Sequence, residues 1–225
     1  MEEKILLEKL KNAIERATKN VIMVNSFNSF IPFGSLDGKE ELEYFEQLEA
    51  LVKAMIYHEM VNDGIPMADI SMEVPIANKI QKSKHFDFYI SNVICDGKAN
   101  EFFIEVKTFA TYQNGSAEKE SEKTIKQIKN EVQKITDKKG NIIDGTIYYD
   151  INKLHTAINE SGVKAIMIIV DQSHFVKDVD SVNIVREELK ALLKKSDFSD
   201  KILFAIADNS RAEIISASEI KAHKA

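Results

Sequence analysis

Asp87, Glu105 and Lys107 are the residues of this chain whose types and spacing could do chemistry. Side chains alternate across a strand, so in the run 101–109 Phe102, Ile104 and Val106 turn to one face. Glu105 and Lys107 are left on the other, with their Cα atoms about 6.8 Å apart. In the run 85–91 the same rule buries Phe86, Phe88 and Ile90 and sets Asp87 opposite them. Asp96-Gly97 marks a tight hairpin turn between the two runs, which brings Asp87 beside Glu105 and Lys107. Two carboxylates and an ammonium on one side of a sheet suit metal-assisted phosphodiester hydrolysis. The carboxylates would hold Mg²⁺, with Mn²⁺ as a substitute, through hard oxygen ligands, and the lysine would position a water or stabilise the negative transition state.

These residues need elements to position them. Ile5, Leu6, Leu10, Ala13, Ile14 and Ala17 recur at helical spacing and predict a helix over 2–19, followed by an irregular apolar segment at 21–36 that wraps the core in extended form. A second helix is expected from Asp37 to Asn62. Strands are expected at 69–76, 85–91 and 101–109, then a lysine-rich helix at 117–136, a strand at 142–149 and a helix at 151–161 entered from Asp150. The apolar run 165–170 reads as a strand buried on both faces, and a helix at 181–195 with strands at 201–207 and 212–217 completes the chain. No internal repeat or composition break divides it, so the expected architecture is one α/β domain over 1–225 with a mixed sheet and helices on its faces.

Asp87, seventeen intervening residues, then Glu105-Val106-Lys107 resembles the PD-(D/E)xK nuclease superfamily, which includes restriction endonucleases, junction resolvases and repair nucleases. The order helix, three strands, helix, strand over about 38–171 resembles that superfamily's restriction-endonuclease-like core (α-β-β-β-α-β), here with an extra N-terminal helix and C-terminal strands. Phe86 stands where the family name has proline. Gln127 sits where many members carry a glutamine facing the active site, without the tyrosine that some place four residues later. The resemblance implies a Mg²⁺-dependent nuclease acting on DNA, with restriction-type endonucleases as the nearest likeness. For an enzyme cutting both strands it implies a homodimer. The competing class is a catalytically silent module that keeps the fold to bind nucleic acid or a protein partner.

Many members supply a further acid from the first core helix. At 100° per residue, the stripe Phe45, Leu48, Val52, Met55 and Ile56 centres on Glu59, while Glu46 falls opposite and Glu49 near the edge. A glutamate at the centre of an apolar face needs a partner, so Glu59 is the expected fourth member of the site.

Composition narrows the alternatives. The 225 residues are 44% apolar and 29% charged with 8 Gly and 3 Pro, which is globular composition. Cys95 is the only cysteine, so neither an internal disulfide nor a multi-thiolate metal site can form. With no apolar stretch of signal-peptide or membrane-span length in evidence, the cytoplasm is the expected compartment and no membrane contact is expected. His58-Glu59 lacks the second histidine of a zincin, Gly34–Lys39 falls short of a P-loop, and no Gly-x-Ser-x-Gly elbow occurs.

The net charge of −6 argues against coating nucleic acid through bulk positive charge, and only Arg16, Arg186 and Arg211 are arginines. Locally the balance differs: 123–139 carries a net +4, while 37–63 carries −6. Lys123, Lys126, Lys129 and Lys134 directly follow the proposed active-site strand and are the expected phosphate contacts. Replacing two of them by alanine should lower the slope of log affinity against log salt by about 2, on all DNA sequences alike. A salt titration of DNA binding measures this, and an unchanged slope would show a merely solvated face.

Overall fold

The computed structural model describes residues 1–28, 38–75, 85–109, 146–171, 180–208 and 211–222, with scattered positions from 126 to 142. Six strands form one mixed sheet: β1 (Ile70–Pro75), β2 (His85–Cys95), β3 (Lys98–Phe109), β4 (Lys164–Asp171), β5 (Ile202–Ala207) and β6 (Ala212–Ser216). They lie side by side in chain order. β1, β2 and β3 are antiparallel neighbours, β3, β4 and β5 run parallel, and β6 returns antiparallel. Each parallel step needs a crossover, and helices supply both. α3 (Ile147–Ser161) lies between β3 and β4, and α4 (Ser181–Lys195) between β4 and β5.

Two apolar layers hold these elements. On one face of the sheet, α1 (Glu3–Asn28) and α2 (Gly38–Asn62) bury Leu6, Leu10, Ile14, Val52, Ile56 and Met60 against Phe88, Ile104, Val106 and Ile168. On the other, α3, α4 and the short α5 (Ala217–Ala222) bury Ile147, Ile151, Leu154, Val185, Leu189 and Ile220 against Met167, Ile169 and Phe204. β4 accordingly alternates between the two layers with no polar residue between Lys164 and Asp171, as its uninterrupted apolar run requires. The β2–β3 turn is the expected one: Asp96 and Gly97 both have positive φ, 50° and 75°, the conformation of a two-residue hairpin. Among the described residues no helix is long and apolar enough to cross a membrane.

Three sequence expectations fail here. α1 does not stop near residue 20 but continues to Asn28, through part of the segment expected to be extended. Phe86 is buried, yet on the face opposite Phe88, where its ring stacks on Phe103 at 4.3 Å. Simple alternation breaks at Asp87, where the β1–β2 pairing skips from Met72↔Phe88 to Val74↔Phe86 across Glu73, whose φ is 51°, and the β2–β3 pairing ends at Phe88↔Ile104.

The third failure moves a helix start. The β-branched and aromatic run ending in Ile147-Tyr148-Tyr149 has strand propensity, but these three residues open a helix, while 143–145 lie outside the described residues. Ile147, Ile151, Leu154 and Ile158 recur at helical spacing and are all buried, so tertiary burial overrides local preference. Thr146 caps the helix by accepting the Tyr149 N–H at 3.2 Å, and Gly162, at φ 73°, ends it. Asp150 is therefore a first-turn residue and not the cap. Thr146→Ala should cost about 1 kcal/mol, and Thr146→Ser should recover most of it. Urea unfolding measures both, and an unchanged midpoint for the alanine variant would contradict the cap.

Candidate functional site

The carboxyl end of β3 collects charged side chains from four elements. Asp87 comes from β2, Glu105 and Lys107 from β3, Glu49 and Lys53 from α2, and Asp150 and Lys153 from α3. Asp87 is 7% exposed and Glu105 is 3% exposed. Carboxylates are seldom this buried unless they are paired, and here each one is.

Asp87 Oδ2 accepts the Val106 N–H at 2.7 Å, so a side chain bridges β2 to β3 just beyond the last register pair. Its other oxygen, Oδ1, is 2.6 Å from Lys53 Nζ, which also lies 2.9 Å from Glu49 Oε1. Lys107 Nζ reaches Glu49 Oε2 at 3.4 Å. Lys153 Nζ lies 2.5 Å from Glu105 Oε1 and 3.9 Å from Asp150 Oδ1, donates to the His85 carbonyl at 2.9 Å, and sits 5.4 Å from the centre of the Phe86 ring. The chain of contacts thus alternates in sign through most of its length.

Electrostatics follow from this crowding. Burial, reinforced by the Asp87 charge, pushes the Glu105 carboxyl well above the usual carboxylate range despite Lys153. Burial likewise pushes Asp150 up to about 7, against the pull of Lys153 and Lys107. Burial disfavours the Lys53 charge, but Asp87 and Glu49 outweigh it and hold its pKa above the ordinary lysine value. Cys95 lies elsewhere, and burial pushes its thiol up to about 11, so it is no thiolate nucleophile at neutral pH.

The structure brings Asp87, Glu105 and Lys107 into one charged cluster, although β2 does not alternate simply between Phe86 and Phe88. Glu59 is not part of it. It is buried at the other end of α2, where it takes Arg16 Nε at 2.7 Å and Asn20 Nδ2 at 3.3 Å, both from α1. Arg16 continues to Asp63 at 2.6 Å, making a strut between the helices. The centre of an apolar stripe is the right direction for a buried acid but does not fix its height. Ten residues along a helix is about 15 Å, and Glu49, at the edge of the stripe, has the height that reaches β2 and β3.

Lys53, Asp150 and Lys153 were not foreseen from the sequence. Lys53 could have been found as the i+4 partner of Glu49. Asp150 and Lys153 become visible once the helix is begun at Ile147, since Asp150 then falls at the edge of the buried stripe. Lys126 and Lys129 are exposed helical residues, and Lys129 lies 4.0 Å from Glu188 on α4. Gln127, Lys123 and Lys134 lie outside the described residues.

Asp87 and Glu105 offer the hard oxygen donors that Mg²⁺ takes, and Glu105 Oε1 is buried beside an ammonium without a well-formed hydrogen bond. Among the described residues no three acidic, histidine or cysteine side chains converge as a ready-made metal cage. Mg²⁺ does not require one, because it keeps several waters and takes one or two carboxylates plus substrate phosphates. The donor set fits. A separate cavity of about 760 Å³ between α3 and α4, walled by Tyr148, His155 and Phe198, contains none of the clustered charges.

No protein-family model, curated protein or solved structure matches this chain.

The raised Asp150 carboxyl gives a pH signature. A carboxyl whose folded value is about 7, against about 3.9 unfolded, holds its proton more tightly in the folded chain, so its contribution to stability falls as pH rises between those values and then levels. Asp150→Asn removes that contribution. The stability of the variant relative to the parent should therefore rise from about pH 4 to about pH 7. Urea unfolding of both proteins across this range measures it, and parallel curves would contradict the buried, raised carboxyl.

Proposed function

We propose that this chain is a Mg²⁺-dependent nuclease of the PD-(D/E)xK kind that hydrolyses DNA phosphodiester bonds as an endonuclease, with Mn²⁺ able to substitute. The observation that carries the reading is the burial of Asp87 and Glu105 at the carboxyl end of β3, with Lys107 joined to Asp87 through Glu49 and Lys53. Burying two acids there is costly, and apolar residues would stabilise the fold as well or better, so the charges point to a chemical task. The element order α2, β1, β2, β3, α3, β4 supports the restriction-endonuclease-like reading of the core.

In this reading Asp87 and Glu105 hold the metal, and Glu49 replaces Glu59 as the acid from the first core helix. The bound ion supplies positive charge at the scissile phosphate and lowers the pKa of a water. The Val106 N–H fixes the orientation of Asp87. Lys153, itself anchored on the His85 carbonyl, fixes Glu105. Lys107 stabilises the charge that grows on the phosphate oxygens in the transition state. The exposed Lys126 and Lys129 meet the DNA backbone, with Lys123 and Lys134 as further candidates on the same stretch and Gln127 as a supporting residue of the active site.

A second reading, a catalytically silent module that binds nucleic acid or a protein partner, is favoured by one observation. Lys53 and Lys153 already compensate Asp87 and Glu105, as they would in a purely structural ion cluster.

Incubation with supercoiled plasmid separates the two. The nuclease reading expects nicked and linear products with Mg²⁺ or Mn²⁺ and none with EDTA. Lys107→Ala should lose about a hundredfold or more in cleavage with DNA binding nearly intact. Glu59→Gln should instead cost about 1–3 kcal/mol of stability and leave cleavage in place, because it breaks the strut to Arg16 only. DNA binding without cleavage in any metal would favour the silent module.

A further inference from the structure

The two carboxylate oxygens of Asp87 have different tasks. Oδ2 is committed to the Val106 N–H, a backbone donor that would be left unpaired in a buried place if the bond were given up. Oδ1 is the oxygen that faces the cluster, and Lys53 Nζ is on it at 2.6 Å. The Lys53 side chain is only 17% exposed. Among the described residues its contacts are to two carboxylates, Asp87 and Glu49, and not to backbone. Lys153 differs, since it is also held by the His85 carbonyl and packs over Phe86. Lys53, like Lys107 and unlike Lys153, touches no backbone acceptor among the described residues, and of these two only Lys53 sits on Asp87 Oδ1.

We propose that Lys53 is a resident counter-ion occupying Asp87 Oδ1 in place of a divalent cation, so that the ammonium and the metal are alternative occupants of that oxygen. The inference rests on the nuclease reading above and deepens it. A divalent cation bound to Oδ1 at about 2.1 Å would lie within about 5 Å of an ammonium still 2.6 Å from the same oxygen. In a part-buried site the repulsion between them is strong. One must leave, and a flexible four-carbon stem allows Lys53 to do so. Until the metal arrives, the ammonium keeps Asp87 and Glu49 compensated, so the domain folds without the ion and yields the site to it afterwards.

Mn²⁺ binding to the full chain without DNA, followed by electron paramagnetic resonance, tests this on the parent and on Lys53→Met. If Lys53 holds Oδ1 for nine-tenths of the time, removing it should tighten the apparent Kd about tenfold. The increase in Tm on adding Mn²⁺ should also be larger for the variant, which has lost its own counter-ion. An equal or weaker Mn²⁺ affinity in a folded variant overturns the proposal. Should Lys53→Met not fold in EDTA, nitrogen-15 lysine spectra of the parent decide instead. A slowly exchanging Lys53 ammonium signal should be present without metal and lost on adding Mg²⁺, and its persistence in the metal-saturated protein overturns the proposal. If the parent binds Mn²⁺ and cuts plasmid but the variant's affinity is unchanged, only this inference fails. If the parent neither binds Mn²⁺ nor cuts, the nuclease reading fails and takes the inference with it.

Discussion

Four carboxylates cannot share one corner of a protein without cations among them, and that constraint organises this structure. Glu49, Asp87, Glu105 and Asp150 meet at the carboxyl end of β3, and Lys53, Lys107 and Lys153 thread between them. Compensation is incomplete, because the carboxyl groups of Glu105 and Asp150 still lie above their ordinary range. A cluster so arranged carries strain from desolvation that a purely apolar corner would avoid. The same strain makes it receptive to an added positive charge.

The fold's task is to bring the contributing elements to that corner. The β2–β3 hairpin fixes Asp87 against β3 through the Val106 N–H. α2 lies over one face of the sheet on Val52, Ile56 and Met60, which sets the height of Glu49 and Lys53. α3 lies on the other face through Ile147, Ile151 and Leu154, and its first turns deliver Asp150 and Lys153. The two apolar layers thus act as rulers for charges that they do not touch chemically. The strut from Arg16 to Glu59 and Asp63 ties α1 to α2 at the far end, away from the cluster.

Local rules made part of this legible in the sequence. Strand alternation along β3 and the Asp96-Gly97 turn pointed to Asp87, Glu105 and Lys107, because a hairpin is a short-range object. The buried run of β4 and the helix 181–195 were readable for the same reason. The register shift between Ile90 and Val93 and the broken alternation at Phe86 lie beyond such local rules. Glu59 was misplaced because helical periodicity reports direction around the axis and is silent on position along it. Its true partner, Arg16, is 43 residues away on another helix. The start of α3 was misplaced because β-branched residues prefer strands locally, while their burial against β4 depends on the whole sheet. Lys53 and Lys153 carry meaning only through partners that tertiary packing supplies.

The central claim is that this compensated cluster is a metal centre, and direct observation of an ion tests it most plainly. Crystals grown with Mn²⁺ and measured for anomalous scattering should show a peak about 2.0–2.6 Å from oxygens of both Asp87 and Glu105, with Lys53 displaced from Asp87 Oδ1. Absence of any peak at saturating Mn²⁺, with the lysine and carboxylate contacts unchanged, would contradict the account and leave the cluster as a structural ion network.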